Sequence, residues 1–282
     1  MKQIIRASLI ALVCLCHAQG MTFYNAASAT RTDDPGTGVP WNNVAAIYWG
    51  TEQLGSAVYL DNGVFLTAEH VPVWTGCTYT FDGVTFYTID TTTEPAVVSP
   101  EGADYKLFYS EQARSMGLDA VTILDTSFTV DGVSSTNPVV TYVACGLGSE
   151  GTREKRWSVD YLDYNVTAGD ASNRESISYA TVCLNPNDHP AFSFGDYETI
   201  LTAGDSGGGV FYQDEDGTWQ LVAIAIGGAG AYYSSGTLDS VYLNILLDVS
   251  AYADTINAVV ASHAIPETAA SALLIGALAL AF

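Results

Sequence analysis

Short strand-like segments that alternate with tight turns constrain this chain more than any other feature of its sequence. Residues 55–60 and 64–67 are both largely apolar, and Asn62-Gly63 lies between them. An Asn-Gly pair in this position predicts a β-hairpin, because both residues accept the positive φ angles of a two-residue turn. A second hairpin is predicted over residues 210–226, which hold two apolar segments separated by a polar turn.

The rest of the chain follows the same pattern, which predicts an all-β fold. The 17 Tyr and 26 Gly residues suit short strands joined by tight turns. One helix is predicted over residues 248–262, where Tyr252, Ile256 and Val259 recur at helical spacing. With 282 residues, the chain is long enough to bury a large core.

The net charge narrows the range of partners. The chain carries a formal charge of −22 and has no basic stripe. Such a surface repels phosphate backbones, so we expect no nucleic-acid partner. Arg153, Lys155 and Arg156 lie close together in the sequence, and we interpret them as part of a solvated loop.

The N-terminal residues predict export. Two basic residues are followed by a short apolar stretch, and small residues permit cleavage after either Ala18 or Gly20. We therefore expect residues 1–20 to be a signal peptide and residues 21–43 to be a flexible arm. The mature protein is expected outside the cell, in the periplasm or on the outer surface.

The C-terminal segment, residues 263–282, ends in an apolar run that starts at Ala269. As a helix this run would span only about 21 Å, which is too short to cross a bilayer. With Pro266-Glu267 before it, the segment resembles the Pro-Glu-Pro-type sorting tails of exported bacterial proteins. It departs from them because Thr268 replaces the second Pro and no basic cluster follows. The resemblance implies a transient contact with the membrane or with sorting machinery.

The run Gly204-Asp205-Ser206-Gly207-Gly208 is the strongest signal of chemistry. A serine hydroxyl is a poor nucleophile, so it needs a base and a site for the developing oxyanion. Flanking glycines let the backbone fold back on itself. We therefore expect the N–H groups of Gly204 and Ser206 to form an oxyanion hole around a nucleophilic Ser206.

His70 is the best candidate for the base. Of the four histidines, His17 lies in the expected signal peptide, His189 in a Pro-rich loop and His263 at the start of the tail. His70 instead follows the predicted strand at 64–67, and a rigid strand end suits a catalytic base.

Three motifs in a fixed order connect these candidates: Leu66-Thr67-Ala68-Glu69-His70, Gly146-Leu147-Gly148 and Gly204-Asp205-Ser206-Gly207-Gly208. In this order they resemble the trypsin-like serine proteases, over about residues 44–226. The resemblance implies a domain at 44–262 with two six-stranded antiparallel β-barrels, the site between them and a C-terminal helix. It also implies a monomeric endopeptidase that cleaves polypeptides through an acyl-enzyme, with neither cofactor nor metal.

The resemblance also implies an aspartate that orients His70, and two residues fit. In the family this aspartate opens a strand between the His and the Gly-x-Gly motif. Both Asp104 and Asp119 precede such a segment. Asp104 leaves room for a strand, a connection and a further strand before Gly146, whereas Asp119 leaves the more usual gap after His70. We favour Asp104 and keep Asp119 as the alternative.

The chain departs from the family in its cysteines. Val71 and Thr202 stand where many members have cysteines. Outside the expected signal peptide only Cys77, Cys145 and Cys183 remain, and three cysteines allow at most one bridge. We therefore expect no essential disulfide framework.

Further departures concern activation and specificity. No Ile-Val-Gly-Gly start follows a basic residue, so a freed N-terminus is not predicted to pair with Asp205, and the sequence suggests no other partner for it. Glu69 replaces a small residue beside His70. Ile200 lies six residues before Ser206, where the family has the floor of its specificity pocket. An apolar floor argues against a preference for Lys or Arg.

Two other functions are compatible with these motifs. One is an exported surface or binding protein built on a protease scaffold that has lost catalysis. The other is hydrolysis of a non-peptide ester by the same residues. The presence of a His, an Asp and a Ser in the expected order argues against the inactive scaffold.

Overall fold

The structure is a computed structural model. It describes residues 21–23, 31–89, 97–98, 102–146, 154–169, 175–183, 199–231 and 241–264. The predicted signal peptide at 1–20 and residues 265–282 of the predicted sorting tail lie outside the described residues.

The fold is all-β, which confirms the predicted class. The described strands are, in chain order, β1 (Thr22–Phe23), β2 (Val44–Trp49), β3 (Glu52–Asp61), β4 (Val64–Thr67), β5 (Cys77–Thr80), β6 (Tyr87–Thr88), β7 (Val97–Val98), β8 (Lys106–Tyr109), β9 (Thr122–Ile123), β10 (Val139–Ala144), β11 (Arg156–Tyr161), β12 (Tyr164–Gly169), β13 (Glu175–Cys183), β14 (Thr199–Ile200), β15 (Gly209–Gln213), β16 (Trp219–Ala231) and β17 (Val241–Asp248). Two helices accompany them: α1 (Glu111–Arg114) and α2 (Ala253–Ser262).

The strands form two large sheets and one small one. The first sheet has the order β6-β5-β2-β3-β4-β8-β7, and the second has the order β11-β10-β15-β16-β17-β13-β12. All neighbours in these two orders are antiparallel, and β9 adds a short parallel pairing to β16. The sheets thus hold seven and eight strands, where six each were expected, partly because two-residue strands lie at the edges of the first sheet.

Both predicted hairpins are present. Asn62 and Gly63 have φ angles of 51° and 85° and join β3 to β4, as a turn with positive φ at both positions requires. The second hairpin pairs β15 with β16. It delivers the segment that begins at Gly209, directly after the glycine-rich run.

The C-terminal helix is shorter than predicted. α2 begins at Ala253 rather than at residue 248, because β17 continues to Asp248 and a 3₁₀ turn, Ser250–Tyr252, comes between them. Ile256, one of the residues that indicated the helix, is fully buried. No helix among the described residues is both long enough and apolar enough to cross a membrane.

The described parts of the expected flexible arm are docked on the domain. β1 pairs with β14, and Met21 and Val39 are only 1% and 4% exposed. The Trp219 indole N–H also donates a hydrogen bond to the Thr37 carbonyl oxygen at 3.0 Å. Apolar burial and backbone pairing therefore hold this segment in place.

The two sheets pack together through a shared core. One buried cluster joins Val58 and Leu66 of the first sheet to Phe211 and Ile224 of the second. Burying each such side chain stabilises the fold by about 1.5–3 kcal/mol. The relative position of the two sheets is therefore set by a shared core.

The second sheet also encloses a carboxyl group, that of Asp163. Asp163 is 1% exposed and accepts a hydrogen bond from the Val182 N–H at 2.7 Å. Burial raises the pKa of Asp163 to about 7, although the bond from Val182 opposes this shift. The folded protein therefore favours the protonated form of this group.

Replacing Asp163 with Asn is expected to reduce the pH dependence of stability. The folded pKa exceeds the ordinary value of 3.8, so between the two values the folded chain keeps a proton that the unfolded chain releases. The free energy of unfolding should thus fall as the pH rises from about 4 to about 7, by at most about 4 kcal/mol. Urea unfolding at both ends of this window should show the variant gaining stability over the natural protein at the higher pH. An equal difference at both pH values would contradict this account.

Candidate active site

His70 and Asp104 are brought together by the pairing of β4 with β8. The register places Thr67 opposite Lys106. Since His70 lies three residues beyond Thr67 and Asp104 two residues before Lys106, both leave the sheet at the same end. A tight turn after β4 then directs the imidazole towards the carboxylate.

The imidazole of His70 links a buried carboxylate to a hydroxyl group. Its Nδ1 lies 2.9 Å from Asp104 Oδ2, and its Nε2 lies 2.8 Å from Ser206 Oγ. The His70 backbone N–H also donates to Asp104 Oδ1 at 3.2 Å. The side chain of Asp104 is 7% exposed, whereas that of His70 is 40% exposed. In this geometry Nδ1–H can donate to Asp104 while Nε2 accepts the proton of Ser206.

Of the two candidate aspartates, the structure brings Asp104 to His70 and leaves Asp119 exposed, outside this cluster. The backbone carbonyl of Asp119 accepts a hydrogen bond from the Asn43 amide at 2.8 Å. Asp119 therefore lies in a connecting segment.

Ser206 lies on a sharp turn that glycines make possible. Gly204 and Gly207 have φ angles of 94° and 85°, which residues with a Cβ rarely adopt. A Cβ atom on Gly207 would also overlap the carbonyl oxygen of Ser56 and the hydroxyl of Thr67. The turn is therefore pressed against the β3–β4 hairpin, whose second strand leads to His70.

Ser56 connects this turn to both sheets through hydrogen bonds. Its N–H donates to the Ser206 carbonyl at 2.7 Å, and its hydroxyl donates to the Gly204 carbonyl at 3.1 Å. The same hydroxyl accepts a hydrogen bond from the Cys145 N–H at 2.9 Å. Because Cys145 directly follows β10 of the second sheet, one side chain joins the turn to the two halves of the domain.

Gly204 and Ser206 offer the backbone donors expected of an oxyanion hole. The N–H groups of Asp205, Gly207 and Gly208 donate to carbonyl groups. Within the described part of the chain, neither the Gly204 nor the Ser206 N–H does so. Two such donors beside a nucleophile stabilise a developing oxyanion, and removing one typically costs about 3–4 kcal/mol of transition-state stabilisation.

Asp205 directly precedes Ser206 and is fully buried. Its Oδ2 accepts a hydrogen bond from the Thr202 N–H at 2.9 Å, whereas Oδ1 has no partner among the described residues. Burial raises the pKa of Asp205 to about 7, and the N–H groups of Thr202 and Met21 and the charge of Arg156 oppose this shift. Met21 thus places a backbone nitrogen near a carboxylate for which the sequence suggested no partner.

Two further contacts surround the His70–Asp104 pair. The Asp104 N–H donates to Ser176 Oγ at 2.8 Å, which connects it to β13, and Lys106 Nζ lies 3.7 Å from Glu69 Oε2. Sequence reasoning missed both contacts. The sequence did single out Glu69, because this residue departs from the family pattern beside His70. Ser176 lies in a segment whose strand pattern is weak, so nothing in the sequence indicated its contact.

Packing replaces disulfide bonds around the site. Cys77 and Cys145 are buried free thiols, and Cys183, which is also buried, accepts a hydrogen bond from the Asn244 side-chain amide at 3.2 Å. Val71, which stands where many trypsin-like proteases have a cysteine, packs against Gly55, and a Cβ on that glycine would lie 2.7 Å from both Val71 methyl carbons. The glycine and the valine thus fit each other in shape.

Ile200 lies in the segment before Ser206. Ile200 is paired with Thr22 in the small sheet and is partly exposed. The next residue, Leu201, is buried and donates its N–H to Asn244 Oδ1 at 2.8 Å. The role of Ile200 as the floor of a specificity pocket stays a prediction.

The basic segment interpreted as a solvated loop is partly buried where the structure describes it, with Arg156 buried and Lys155 partly exposed. Arg156 begins β11 and is 3% exposed, and Glu154 lies 3.6 Å from it. Lys155 Nζ donates to the Trp41 carbonyl at 2.9 Å and lies 5.1 Å from the centre of the Trp41 ring. Both cations are accommodated because nearby groups offset their lost hydration. Arg153 lies outside the described residues.

Comparisons with known proteins give a likeness to solved structures. No family model and no curated protein matches the sequence. Among solved structures, the chain is similar to kallikrein-related peptidase 10, with a TM-score of 0.49 and 16% sequence identity, over 79% of this chain and 96% of that chain.

Proposed function

We propose that this chain is a serine endopeptidase of the trypsin-like type that uses His70, Asp104 and Ser206 as its catalytic triad. The main support is the 2.8 Å distance between His70 Nε2 and Ser206 Oγ, with Asp104 2.9 Å from the other ring nitrogen. A base that is oriented by a buried carboxylate and contacts a hydroxyl is the arrangement that activates a serine nucleophile.

In the proposed reaction, Ser206 Oγ attacks the carbonyl carbon of a peptide bond while His70 Nε2 accepts the hydroxyl proton. The N–H groups of Gly204 and Ser206 stabilise the oxyanion. The C–N bond then breaks as His70 returns the proton to the leaving amine, which leaves the acyl group on Ser206. Water, deprotonated by His70, then attacks the acyl carbon, and the bond to Ser206 Oγ breaks as His70 returns the proton to Oγ. Asp104 stabilises the imidazolium in both halves of the reaction.

The proposed substrate is a polypeptide, and Ile200 is the proposed floor of the pocket for the residue before the scissile bond. An apolar floor offers no partner to a buried cation. Cleavage after Lys or Arg is therefore disfavoured relative to cleavage after an apolar residue.

A fluorophosphonate probe tests the proposed nucleophile. Such a probe reacts with an activated serine and not with an ordinary surface hydroxyl. The natural protein is expected to become labelled, and Ser206→Ala is expected to lose labelling completely while keeping its circular dichroism spectrum. An unlabelled but folded natural protein would overturn the proposal.

The same experiment separates the two alternatives. An inactive surface or binding protein on a protease scaffold predicts a folded protein that no probe labels. An esterase predicts labelling that depends on Ser206, together with turnover of esters and none of an unfolded protein such as casein. The proposed endopeptidase predicts turnover of both.

We also propose that the chain is exported and that cleavage after Gly20 matures it, with the apolar tail serving in sorting. The supporting observation is the Met21 backbone nitrogen near the buried Asp205 carboxylate. The sequence predicted no pairing of a freed N-terminus with Asp205, but the position of Met21 favours one, because cleavage of the Gly20–Met21 bond would turn that N–H into an ammonium group. The new donors and positive charge favour ionisation of a carboxylate that burial alone disfavours.

Inserting one Ala between Gly20 and Met21 is expected to lower turnover about 100-fold, because the ammonium group moves by one residue and the oxyanion turn loses its support. Mass spectrometry of the mature protein should show a chain that begins at Met21 in the natural protein. The same insertion after Gly36, in an exposed part of the arm, should leave turnover unchanged. A natural mature chain that begins at Gln19 would contradict this route.

A further inference from the structure

A cleft of about 330 Å³ lies apart from the triad and is lined by residues of the first sheet and by residues that flank β10 and β11 of the second. Its aromatic walls include Trp41, Tyr48 and Phe81, and its polar lining includes Gln53 and Lys155. This combination of aromatic surface with a few polar groups is typical of sites that bind small ligands.

Gln53 has unused hydrogen-bonding capacity in this cleft. Both Oε1 and Nε2 of its amide are buried, and neither has a hydrogen-bond partner within the described residues. A buried amide without partners costs free energy. A ligand that offers both an acceptor and a donor would remove that cost.

Lys155 supplies a positive charge to the same cleft. Its Nζ donates one hydrogen bond, to the Trp41 carbonyl at 2.9 Å, and an ammonium group carries three donors. Burial lowers the pKa of Lys155, so an anionic ligand would stabilise its charged form. Burial also raises the pKa of the adjacent Cys145 thiol to about 11, so this neighbour is neutral and provides no anion.

The two acidic residues of the lining are already engaged. Asp82 Oδ1 accepts hydrogen bonds from the N–H groups of Val84 at 2.8 Å and Thr85 at 2.7 Å. Glu154 pairs with Arg156 at 3.6 Å. Lys155 and Gln53, by contrast, keep donors that no described residue accepts, and these can bind a ligand.

The cleft is connected to the nucleophile through Ser56. Gln53 lies three residues before Ser56 on β3, a span of about 10 Å along a strand. Cys145, which also lines the cleft, donates its N–H to the Ser56 hydroxyl, and the Ser56 N–H donates to the Ser206 carbonyl. Ser56 is fully buried, so this connection runs through the protein, and the span of about 10 Å from Gln53 to Ser56 equals the length of about three residues of an extended peptide.

We propose that this cleft binds the C-terminal carboxylate of a peptide substrate, within about three residues of the scissile bond. The carboxylate accepts hydrogen bonds from Lys155 Nζ and Gln53 Nε2, while Gln53 Oε1 accepts one from the last peptide N–H. The aromatic walls contact the last side chain. A substrate Asp or Glu side chain offers the same carboxylate without that neighbouring N–H. The inference rests on the proposed peptidase function and adds a preference for cleavage near a chain end.

Binding to the full-length Ser206→Ala protein tests this site without turnover. Calorimetry would compare the peptide Gly-Gly-Phe with its C-terminal amide. We expect the free acid to bind about tenfold or more tightly, because charge-assisted hydrogen bonds are lost in the amide. Gly-Glu-Phe amide reports whether a side-chain carboxylate substitutes for the terminal one.

Two variants and one control complete the test. Gln53→Glu should abolish the preference by repulsion without breaking any protein contact, and Lys155→Met should abolish it by removing the charge. Arg114→Met removes a positive charge outside the cleft and should leave the preference intact. Equal binding of acid and amide, absence of binding, or a preference that survives both cleft variants would overturn the inference. Such a result would leave probe labelling of Ser206 in the natural protein unaffected, so the proposed function is tested separately.

Discussion

Replacing Asp104 with Asn is expected to lower kcat about 10⁴-fold while the fold is retained. Asn has the same shape, so its Oδ1 can still accept the His70 backbone N–H that Asp104 Oδ1 accepts at 3.2 Å. Its side-chain NH2 group, however, cannot accept a hydrogen bond from His70 Nδ1. The imidazole then keeps its proton on Nε2, where it can no longer accept the proton of Ser206. Steady-state hydrolysis and the rate of fluorophosphonate labelling measure this loss.

Asp119→Asn is the matched control for this change. It makes the same chemical substitution at the competing aspartate, which is exposed and contributes a backbone carbonyl to Asn43. Turnover is expected to be unchanged. Loss of activity in this variant, with full activity in Asp104→Asn, would show that the working enzyme uses the other aspartate.

Gly207→Ala is expected to abolish labelling of Ser206 and to destabilise the folded protein strongly. At a φ angle of 85°, any residue other than Gly costs about 1–2 kcal/mol. The larger effect comes from overlap of the new methyl group with the Ser56 carbonyl oxygen and the Thr67 hydroxyl. The β3–β4 hairpin has to separate from the turn that carries Ser206. The N–H groups of Gly204 and Ser206 then lose their alignment.

Gly217→Ala is the matched control, because it introduces similar backbone strain without an overlap of atoms. Gly217 has a φ angle of 82°, close to that of Gly207, but a Cβ there would meet only the Gln213 amide, at 3.8 Å. Urea unfolding should show a loss of about 1–2 kcal/mol for this variant and a much larger loss for Gly207→Ala. Similar losses in the two variants would mean that the turn adjusts to the added methyl group.

The sequence predicted those parts of the site that depend on local patterns. The Asn62-Gly63 turn fixes the β3–β4 hairpin, and the end of that hairpin carries His70. The glycines around Ser206 likewise indicated a folded-back turn, because glycine accepts the backbone angles that such a turn needs. The choice between Asp104 and Asp119 stayed open, since it depends on which strand pairs with β4.

Features that depend on contacts between distant segments could not be predicted. Residues 21–43 look like a polar arm, yet Met21 is buried beside Asp205 because β1 pairs with β14. Lys155 reads as a solvated cation, yet the Trp41 carbonyl and ring accommodate it. The start of α2 was predicted too early because helical spacing of apolar residues does not show where a preceding strand ends.

The contact between Val71 and Gly55 should make the geometry around His70 and Ser206 independent of redox conditions. No covalent bridge is needed to hold the hairpin that carries His70, so thiol reductants should leave turnover unchanged. The chain can therefore reach the same geometry in a reducing cytosol as in an oxidising compartment. The thiol of Cys77, which is fully buried and does not line the cleft, should react with alkylating reagents only when the domain opens, which makes its modification rate a direct measure of unfolding.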